Sequence, residues 1–489
     1  MSTFNGTKYK ALLDQLEIAD LPLSRVMDGN PVFRYDSEYF SKAALSALAI
    51  VNKRNPSTIQ ILAVQVTDGI HQSIPFVQDG PVRIISAKHP KENFFDLDNC
   101  ETVDTLFHQA NPRTALRVND VIISTVGTIG NAAVVTADML PANSDRHVGI
   151  IRLSTKLSPY VLSTFLLSRY GKAQTTREVT GNVQPNLFIS KLNTLLIPEI
   201  PESVSVKIDT IVKKAHSLRK HSLAGLHDAD KVLAKALGLE DWQPPSHLTC
   251  VRRYSDVRTR ERIDAEHYRE EFYAATLRLT EAGALRFIPM GELLTTLTNG
   301  HTPLRHNLEI GAIPFLCAEH VSNFEVHYGT DKRILAEHHH AELARTALRN
   351  HDILITIKGR VGNAAMVQDL PGPTNINQDV ALFRLNDRVP AWYLLAFLNS
   401  LFGRLQVQQL STGGINPFLG LSNVRKLQIP EFRTSFMNTI ARNTEALVKS
   451  ARSEREEAHS LLSRATRMIE IAIEQGEKAS LAYFATGDD

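Results

Sequence analysis

The sequence has little cysteine, no long apolar run and no excess of one charge, and each absence excludes a class of protein. The three cysteines, Cys100, Cys250 and Cys317, are far apart and in no metal-ligand spacing, so we interpret them as reduced and without a shared role. No apolar run reaches the roughly 18 residues that a membrane-spanning helix needs, and MSTFNGTKYKALLDQ at the N-terminus lacks an apolar signal core. We therefore expect a cytoplasmic protein with no membrane partner.

Charge of both signs is nearly balanced, with 54 Lys and Arg against 52 Asp and Glu in 489 residues. That balance neither requires nor excludes a nucleic-acid partner, and basic runs such as Arg252-Arg253 are more often a solvated face than a binding surface. The composition, 43% hydrophobic and 22% charged, is typical of a soluble globular protein with sizeable cores. At about 100–200 residues per domain, the length predicts two or three domains.

The sequence also lacks the motifs of common nucleotide and metal sites. It has no Gly-x-x-x-x-Gly-Lys-Ser/Thr phosphate loop, and Gly127 and Gly130 are too sparse for a dinucleotide loop. An amino-methyltransferase loop would read Asn/Asp-Pro-Pro-aromatic, but Asn416-Pro417-Phe418 lacks the second proline, so we interpret it as a turn. The histidines of residues 338–340 would point in different directions on a helix, so we predict an exposed polar helix rather than a metal site. We predict no catalytic residue, no metal and no cofactor in this chain.

What the sequence does contain is a long internal repeat. Residues 120–135, DVIISTVGTIGNAAVV, are identical to residues 352–367, DILITIKGRVGNAAMV, at eight of sixteen positions. The offset of 232 positions persists for about eighty residues, as far as Ile197-Pro198-Glu199 and Ile429-Pro430-Glu431. Upstream the offset drifts by a few residues and the two copies differ more. We therefore predict a duplicated scaffold with two different recognition surfaces.

Each copy is predicted to be a mixed α+β domain of roughly 190 residues. Short apolar runs such as residues 121–123 predict strands, and residues 159–170 have helical spacing after a proline suited to a first turn. Segments 203–237 and 433–475 show seams of apolar and small residues at helical spacing, clearest as heptads in the second, which predicts two long helices that pair as an antiparallel coiled coil. The predicted boundaries are 1–202 for the first domain, 203–240 for the central helix, 241–432 for the second domain, 433–475 for the C-terminal helix and 476–489 for a tail.

In this order of domain, long helix, domain and long helix, the chain resembles the specificity (S) subunit of type I restriction–modification systems. The resemblance covers nearly the whole chain, but the loop 136–147 departs from its counterpart, and residues 1–30 and 476–489 match nothing in the family. The motifs that carry it are Phe287-Ile-Pro-Met-Gly-Glu-Leu-Leu, Thr298-Asn-Gly-His-Thr-Pro303, Ile313-Pro-Phe-Leu-Cys-Ala-Glu-His320, Asp352-Ile-Leu-Ile-Thr with Gly359-Arg-Val-Gly362, and Ile429-Pro430-Glu431.

The resemblance implies a non-catalytic subunit whose two target recognition domains bind a bipartite, asymmetric site in double-stranded DNA. It also implies two methyltransferase (M) subunits, which would use S-adenosylmethionine to methylate adenine N6, and motor-nuclease (R) subunits for cleavage. A helix of about 35 residues would be roughly 50 Å long, about one and a half turns of duplex. Shortening segment 203–237 by one heptad is therefore predicted to change the gap between the half-sites.

Sequence-specific DNA contacts come from polar and basic side chains that reach base edges in the major groove. The glycine loops differ here, with Val126 and Thr128 in one copy and Lys358 and Arg360 in the other. A shared phosphate cradle would keep its charge in both copies, so we interpret the glycines as a turn that shapes each domain. The residues predicted to contact DNA are Asp68, His71, Gln72, Lys88, Thr125, Thr128, His301, Arg305, His306, Glu319, His320, Lys358 and Arg360.

Three alternatives stay open from the sequence. The chain could recognise DNA for another phage-defence methyltransferase assembly, since nothing in the sequence separates the two. It could be a protein-interaction scaffold without DNA affinity, which the near-neutral charge favours. It could also be a self-contained enzyme, although the missing catalytic loops disfavour that interpretation.

Overall fold

The structure is a computed structural model in which the chain divides into two units. Unit 1 consists of residues 1–219 and 455–489, and unit 2 consists of residues 220–454. Two long helices therefore contribute one part to each unit. The residues that the structure describes are 12, 16–17, 19–27, 34–98, 100–154, 156–181, 185–247, 249–260, 262–303 and 311–486.

Most helices of the first half of the chain recur in the same order in the second half. None of those in the described ranges is both long and apolar enough to span a bilayer. The first group is Leu23–Met27 (α1), Lys42–Asn52 (α2), Ile59–Leu62 (α3), Thr105–Ala110 (α4), Pro159–Leu167 (α5), Arg169–Glu178 (α6), Ile189–Leu192 (α7) and Glu202–Ala236 (α8). The second group is Tyr254–Arg260 (α9), Glu270–Glu281 (α10), Ala336–His340 (α11), Ala391–Asn399 (α12), Leu401–Leu410 (α13), Leu421–Val424 (α14), Thr434–Gln475 (α15) and Glu477–Thr486 (α16).

The strands are short and also repeat. Those of unit 1 are Ser57–Thr58 (β1), Ala63–Asp68 (β2), Val82–Ile85 (β3), Thr102–Val103 (β4), Val121–Ser124 (β5), Ala132–Val134 (β6), Ala142–Ser144 (β7), Val148–Leu153 (β8) and Leu196–Ile197 (β9). Those of unit 2 are Arg286–Pro289 (β10), Leu294–Asn299 (β11), Ile313–Leu316 (β12), Arg333–Ile334 (β13), Ile353–Thr356 (β14), Ala364–Met366 (β15), Asn375–Ile376 (β16), Val380–Leu385 (β17) and Gln428–Glu431 (β18).

Both units have the same sheet topology. Unit 1 contains a four-stranded antiparallel sheet in the order β2-β8-β5-β6, a three-stranded sheet β4-β3-β7 and the pair β1-β9. Unit 2 repeats these as β11-β17-β14-β15, β13-β12-β16 and β10-β18. In each three-stranded sheet one neighbour is parallel and the other antiparallel. The predicted duplicated α+β fold is confirmed.

The central strands are buried along their whole length because both faces of the sheet are covered. Val121 and Ile123 of β5 lie in a core with α5 and the first part of α8, whereas Ile122 lies in a second core with Ile85. Successive side chains of a strand point to opposite faces, so one apolar run supplies both cores. Residues 353–355 of β14 are divided between two cores in the same way.

The single helix predicted over residues 159–170 is instead two helices, α5 and α6, that meet at Ser168. Ser168 is in an extended conformation, and its hydroxyl accepts a hydrogen bond from the Gly171 amide, which caps α6. A Cβ atom on Gly171 would lie 2.2 Å from the carbonyl oxygen of Phe165, so glycine is required there. Unit 2 has the same break, cap and glycine between α12 and α13.

The two long helices pack against each other within each unit. In unit 1, residues such as Ile208 and Ala215 from the start of α8 share a core with Ala458 and Ala465 from the later part of α15. In unit 2, the end of α8 shares a core with the first part of α15. Early residues of one helix therefore meet late residues of the other, which confirms the predicted antiparallel pairing.

The C-terminal segment folds back onto the long helix within unit 1. Gly476, with a positive φ of 93°, ends α15, and α16 follows immediately. The buried Ser480 hydroxyl donates to the Met468 carbonyl at 2.8 Å. The ring of Phe484 lies beneath Arg464, at 4.6 Å from the guanidinium carbon to the ring centroid. Part of the segment predicted as a tail is thus a helix of the unit 1 core.

Candidate nucleic-acid interface

Several polar loops of unit 1 come together at one end of its four-stranded sheet. The C-terminal ends of β2 and β5 flank the start of β8, because Asp68 pairs with Gly149 and Ser124 pairs with Val148. The turn after β3 joins them through the carbonyl oxygen of Ala87, which accepts a hydrogen bond from the Ser124 hydroxyl at 2.8 Å. We call this the loop surface of unit 1; it consists of residues 68–72, 86–89, 112–114, 125–130 and 145–147.

Unit 2 assembles the equivalent loops with different side chains. The Asn299 side chain donates to the carbonyl oxygen of Gln378 at 3.4 Å, and the Thr302 hydroxyl donates to the Gln378 side-chain oxygen at 2.6 Å. A Cβ on Gly300 would lie 1.8 Å from the Ile376 carbonyl oxygen, so this close approach requires glycine, as it does at Gly69 of unit 1. The loop surface of unit 2 consists of residues 299–303, 317–320, 344–346, 357–362 and 377–379.

The glycine loops are closed by their own backbone. Gly127 and Gly130 have φ angles of 70° and 91°, and Gly359 and Gly362 have φ angles of 72° and 102°. The amide of the second glycine donates inward to the strand end in both units, at 3.0 Å in unit 1 and 2.9 Å in unit 2. Since the amides of Gly130 and Gly362 already have partners within the loop, they are not available to bind a phosphate, which favours the interpretation of the glycines as a shaping turn.

Two of the predicted residues form an ion-pair network with an arginine. Asp68 accepts from His71 Nε2 at 2.6 Å and lies 3.2 Å from Arg113 Nη1. Burial raises the pKa of Asp68, but the hydrogen bonds from His71 and Arg113 outweigh it, and its pKa lies below the usual value. Arg113 is absent from the predicted contact residues. The signal that points to it is Arg345, 232 positions later, which donates to the Asn299 carbonyl oxygen at 3.4 Å.

The remaining predicted residues of unit 1 differ in exposure. The exposed Gln72 donates to the Asn111 side chain at 3.3 Å, and the exposed Lys88 donates to Glu101 at 2.7 Å. Thr128 is exposed at the tip of the glycine loop. Thr125 is only 3% exposed, so its side chain is not on the surface, and we leave it out of the contact set proposed below.

Unit 2 brings histidines together around one carboxylate. Glu342 accepts from His338 at 2.5 Å and from His301 at 3.3 Å. These hydrogen bonds, that from His301 first, hold the pKa of Glu342 below its usual value. The prediction of an exposed polar helix at residues 338–340 is wrong for His339, which is 6% exposed and lies 3.1 Å from the Asn375 side chain. Two consecutive histidines thus point in different directions, as the helical geometry predicts.

His320 has a structural part in the turn after β12. It is 8% exposed, and its Nδ1 accepts a hydrogen bond from the Cys317 amide at 3.0 Å. Burial lowers the pKa of His320, which keeps the ring neutral and able to accept that bond. His89 makes the same contact with the Ser86 amide at 2.8 Å in unit 1. The predicted DNA contact at His320 stays a prediction, although its ring faces the turn.

Cys317, Glu319 and His320 offer ligand atoms within 4.8 Å of one another, the spacing of a metal group. A cation already occupies the same space, because Lys332 Nζ donates to Glu319 at 2.7 Å and lies 3.7 Å from Cys317 Sγ. Burial also raises the pKa of Cys317, which opposes formation of the thiolate that a metal needs. Since unit 1 builds the same turn from Ser86 and residues 88–89, we assign no metal to it.

The glycine loop of unit 2 presents two exposed cations. Lys358 is 51% exposed, 4.0 Å from Asp379, and its Nζ lies 5.5 Å from the centre of the Phe418 ring. Arg360 is exposed, and its side chain has no ion pair within the described ranges. Two further predicted contacts, Arg305 and His306, lie outside the described residues.

No family model matches the chain, and no curated protein matches it. Solved structures do resemble it. The S subunit of the type I restriction–modification system from M. genitalium is 14% identical, with 84% of this chain and 93% of that chain covered and a TM-score of 0.40. The HsdS subunit from Thermoanaerobacter tengcongensis is 15% identical, with 86% and 97% covered and a TM-score of 0.27.

A third similar structure belongs to a study of complex assembly and conformational transition in the type I restriction–modification system. It is 14% identical, with 86% of this chain and 98% of that chain covered and a TM-score of 0.31. The type IIG restriction endonuclease BpuSI is 12% identical over 44% of this chain and 35% of its own, with a TM-score of 0.29. Over most of its length, the chain is thus similar to structures of type I specificity subunits.

Proposed function

We propose that this chain is the DNA-recognition subunit of a type I restriction–modification complex and that each unit reads one half of a bipartite, asymmetric target. The observation that carries the proposal is the contrast between scaffold and loops. The two units share sheet order, strand direction and turn geometry, while the side chains on their loop surfaces differ. A repeated scaffold with different polar loops suits two different half-sites.

The loop surfaces carry the two kinds of group that DNA recognition uses. Cations such as Arg113 and Arg360 suit contacts to phosphates, which fix the register of a protein on the duplex. Carboxylates and amides such as Asp68 and Gln378 suit hydrogen bonds to base edges in the major groove. The proposed contact set combines exposed predicted residues with new ones from the structure: Asp68, His71, Gln72, Lys88, Arg113, Thr128 and Arg146 in unit 1, and His301, Glu319, Lys332, Arg345, Lys358, Arg360 and Gln378 in unit 2.

We propose that the chain itself is not an enzyme. Two methyltransferase (M) subunits would supply adenine-N6 methylation with S-adenosylmethionine, and motor-nuclease (R) subunits would supply cleavage. The chain would act in the cytoplasm, where it meets cellular and invading DNA. Recognition for another phage-defence methyltransferase assembly rests on the same surfaces and differs only in the partner.

Purification of the tagged full chain from its native host tests both parts of the proposal. The expected result is co-purification of methyltransferase and motor-nuclease subunits, and duplex binding whose affinity falls linearly with salt concentration on logarithmic axes. A different methyltransferase or nuclease would favour the other assembly. A complex with no affinity for duplex at low salt would contradict DNA recognition and favour the protein-interaction scaffold.

A further inference from the structure

An exposed ion pair occurs at the same place in both units, but its charges are exchanged. In unit 1, Lys88 Nζ donates to Glu101 at 2.7 Å, and in unit 2, Lys332 Nζ donates to Glu319 at 2.7 Å. Lys88 and Glu319 hold the third position of the turn after β3 and β12, respectively. Glu101 and Lys332 directly precede β4 and β13. The turn residue is therefore the cation in one unit and the anion in the other.

The backbone that carries the pair is the same in both units. A buried histidine closes each turn, because His89 Nδ1 accepts from the Ser86 amide and His320 Nδ1 accepts from the Cys317 amide. The strands on either side pair antiparallel in both units, β3 with β4 and β12 with β13. The exchange is thus a change of side chains on an unchanged frame.

Stability does not explain the exchange. The four side chains are between 41% and 63% exposed, and exposed ion pairs add little to folding. The Coulomb attraction between two charges is also the same after they are exchanged. What the exchange alters is the pattern of hydrogen-bond donors and acceptors that each unit presents to a partner.

Lys88 and Glu319 lie on the loop surfaces, beside the glycine loop, where the two units differ in charge, and Glu101 and Lys332 lie next to these surfaces. In unit 1, the Thr128 hydroxyl donates to the Ala87 carbonyl oxygen, next to Lys88, at 3.5 Å. In unit 2, the glycine before Arg360 approaches Ala318, next to Glu319, since a Cβ on Gly359 would lie 3.9 Å from that of Ala318. A duplex bound to the glycine loop would therefore lie within reach of the exchanged pair.

We infer that the exchanged pair determines base specificity, with Lys88 reading guanine in one half-site and Glu319 reading cytosine in the other. The inference rests on the proposed function. Guanine offers two acceptors, N7 and O6, in the major groove and suits a lysine, whereas cytosine offers the N4 amino group and suits a carboxylate. Glu101 positions Lys88, and Lys332 positions Glu319. Each also presents the opposite kind of hydrogen-bonding group, an acceptor beside Lys88 and a donor beside Glu319.

The test reverses the pair in one unit of the full chain, expressed with its native methyltransferase subunits. The double variant Lys88→Glu with Glu101→Lys keeps an ion pair, so its thermal unfolding should match that of the parent chain. Sequencing of methylated DNA should show about a tenfold or greater loss of the requirement for guanine at one position of one half-site. The other half-site should not change, and Glu319→Lys with Lys332→Glu should give the reciprocal result.

A matched control and a neutral variant keep the test decisive. Reversal of the exposed pair Lys214–Glu457, which lies on α8 and α15 of unit 1 at 2.6 Å, should leave both half-sites unchanged. Lys88→Gln with Glu101→Gln should relax the preference at the same position. Unchanged base preference in both the reversed and the neutral variant would overturn the inference. Absence of a bipartite methylated motif with the parent chain would instead overturn the proposed function.

Discussion

A buried ion pair is the same in both units, whereas an exposed ion pair has its two charges exchanged between them. Arg152 donates to both oxygens of the buried Asp120, at 2.8 and 2.7 Å, and Arg384 does the same to Asp352 at 2.6 and 3.0 Å. The exposed pairs Lys88–Glu101 and Lys332–Glu319 have their charges exchanged between the units. A buried bidentate pair has one workable geometry, because each partner must compensate the desolvation of the other. An exposed pair has no such restriction and is therefore free to differ between two recognition surfaces.

Loss of the buried ion pair should lower the free energy of unfolding of each unit by a large and similar amount. Arg152→Ala leaves the carboxylate of Asp120 buried without its partner, which should lower the free energy of unfolding of unit 1 by about 3–5 kcal/mol. Arg384→Ala should act in the same way on unit 2. Denaturant unfolding, with hydrogen exchange measured at individual amides, shows which unit each variant destabilises. Lys172→Ala, which removes an exposed partner of Glu92, is the control and should cost about 0–1 kcal/mol. If either arginine variant lost no more stability than the control, the buried pair would not stabilise both units as proposed.

The shared break between helices gives the next largest effect. Gly171→Ala and Gly403→Ala each place a Cβ 2.2 Å from a backbone carbonyl oxygen, and the backbone must shift to accept it. Both should lower the free energy of unfolding by about 1–3 kcal/mol. Gly127→Ala has open space around its Cβ but a φ of 70°, so it should cost only about 1 kcal/mol. Equal losses of stability at Gly171, Gly403 and Gly127 would mean that the clash of a Cβ with the neighbouring carbonyl oxygen adds no cost.

The cations on the loop surface of unit 2 should affect DNA binding and its salt dependence. Lys358→Ala with Arg360→Ala removes two cations from unit 2, so the slope of log affinity against log salt should become shallower by about 0.9 per lost phosphate contact. Lys449→Ala, on the exposed side of α15, should leave the slope unchanged. Filter binding or fluorescence titration of the assembled complex between about 50 and 200 mM salt measures this. If the double variant kept the parent slope, these cations would not contact phosphates.

The smallest expected effect is on the pH dependence of the stability of unit 1. His216 of α8 in unit 1 lies 2.5 Å from the Asn93 carbonyl oxygen, whereas in unit 2 Asp230 of α8 accepts from Asn323 at 3.3 Å. Burial lowers the pKa of His216 and raises the pKa of Asp230. The unfolded chain therefore takes up a proton at His216 that folded unit 1 does not, and the stability of unit 1 should fall as the pH drops below about 6.5.

Asp230 has the opposite sign, because its raised pKa makes the folded form bind the proton more tightly, and its contribution is lost as the pH rises through that pKa. Burial lowers the pKa of His320 and His339 in unit 2 as well, so the test is the loss of protection in unit 1, measured by hydrogen exchange at pH 7 and pH 5. His216→Gln should reduce that loss. If the variant kept the full pH dependence, another group would be responsible.

Much of the fold follows from the sequence because the signals repeat. A constant offset identifies the duplication, and seams of apolar and small residues predict the antiparallel helix pair. The break at Ser168 and the burial of His339 do not follow, because the first depends on the close approach of Gly171 to the Phe165 backbone and the second on contact with the Asn375 side chain. The role of residues 477–486 does not follow either, since this short segment has little amphipathic pattern and gives no hint of the helix that it packs on.

Less of the candidate site could be predicted. Loop residues with polar side chains are easy to find, but their partners are set by tertiary contacts. Lys88 and Glu101 are thirteen positions apart, on opposite sides of a loop, and only the fold shows that they pair. Thr125 carries a polar side chain beside the glycines yet is buried, and its backbone bonds to the backbone of His147 and Leu187. Comparison of the two copies at equal offset could have found Arg113, since Arg345 is basic too.

The most direct test of the central claim is the pattern of DNA methylation in the native host, with and without this gene. The account predicts one bipartite motif with two different half-sites and a gap of fixed length, and its disappearance when the gene is deleted. A single contiguous motif, a symmetric motif, or methylation that survives the deletion would contradict the claim that two units of one chain read two half-sites.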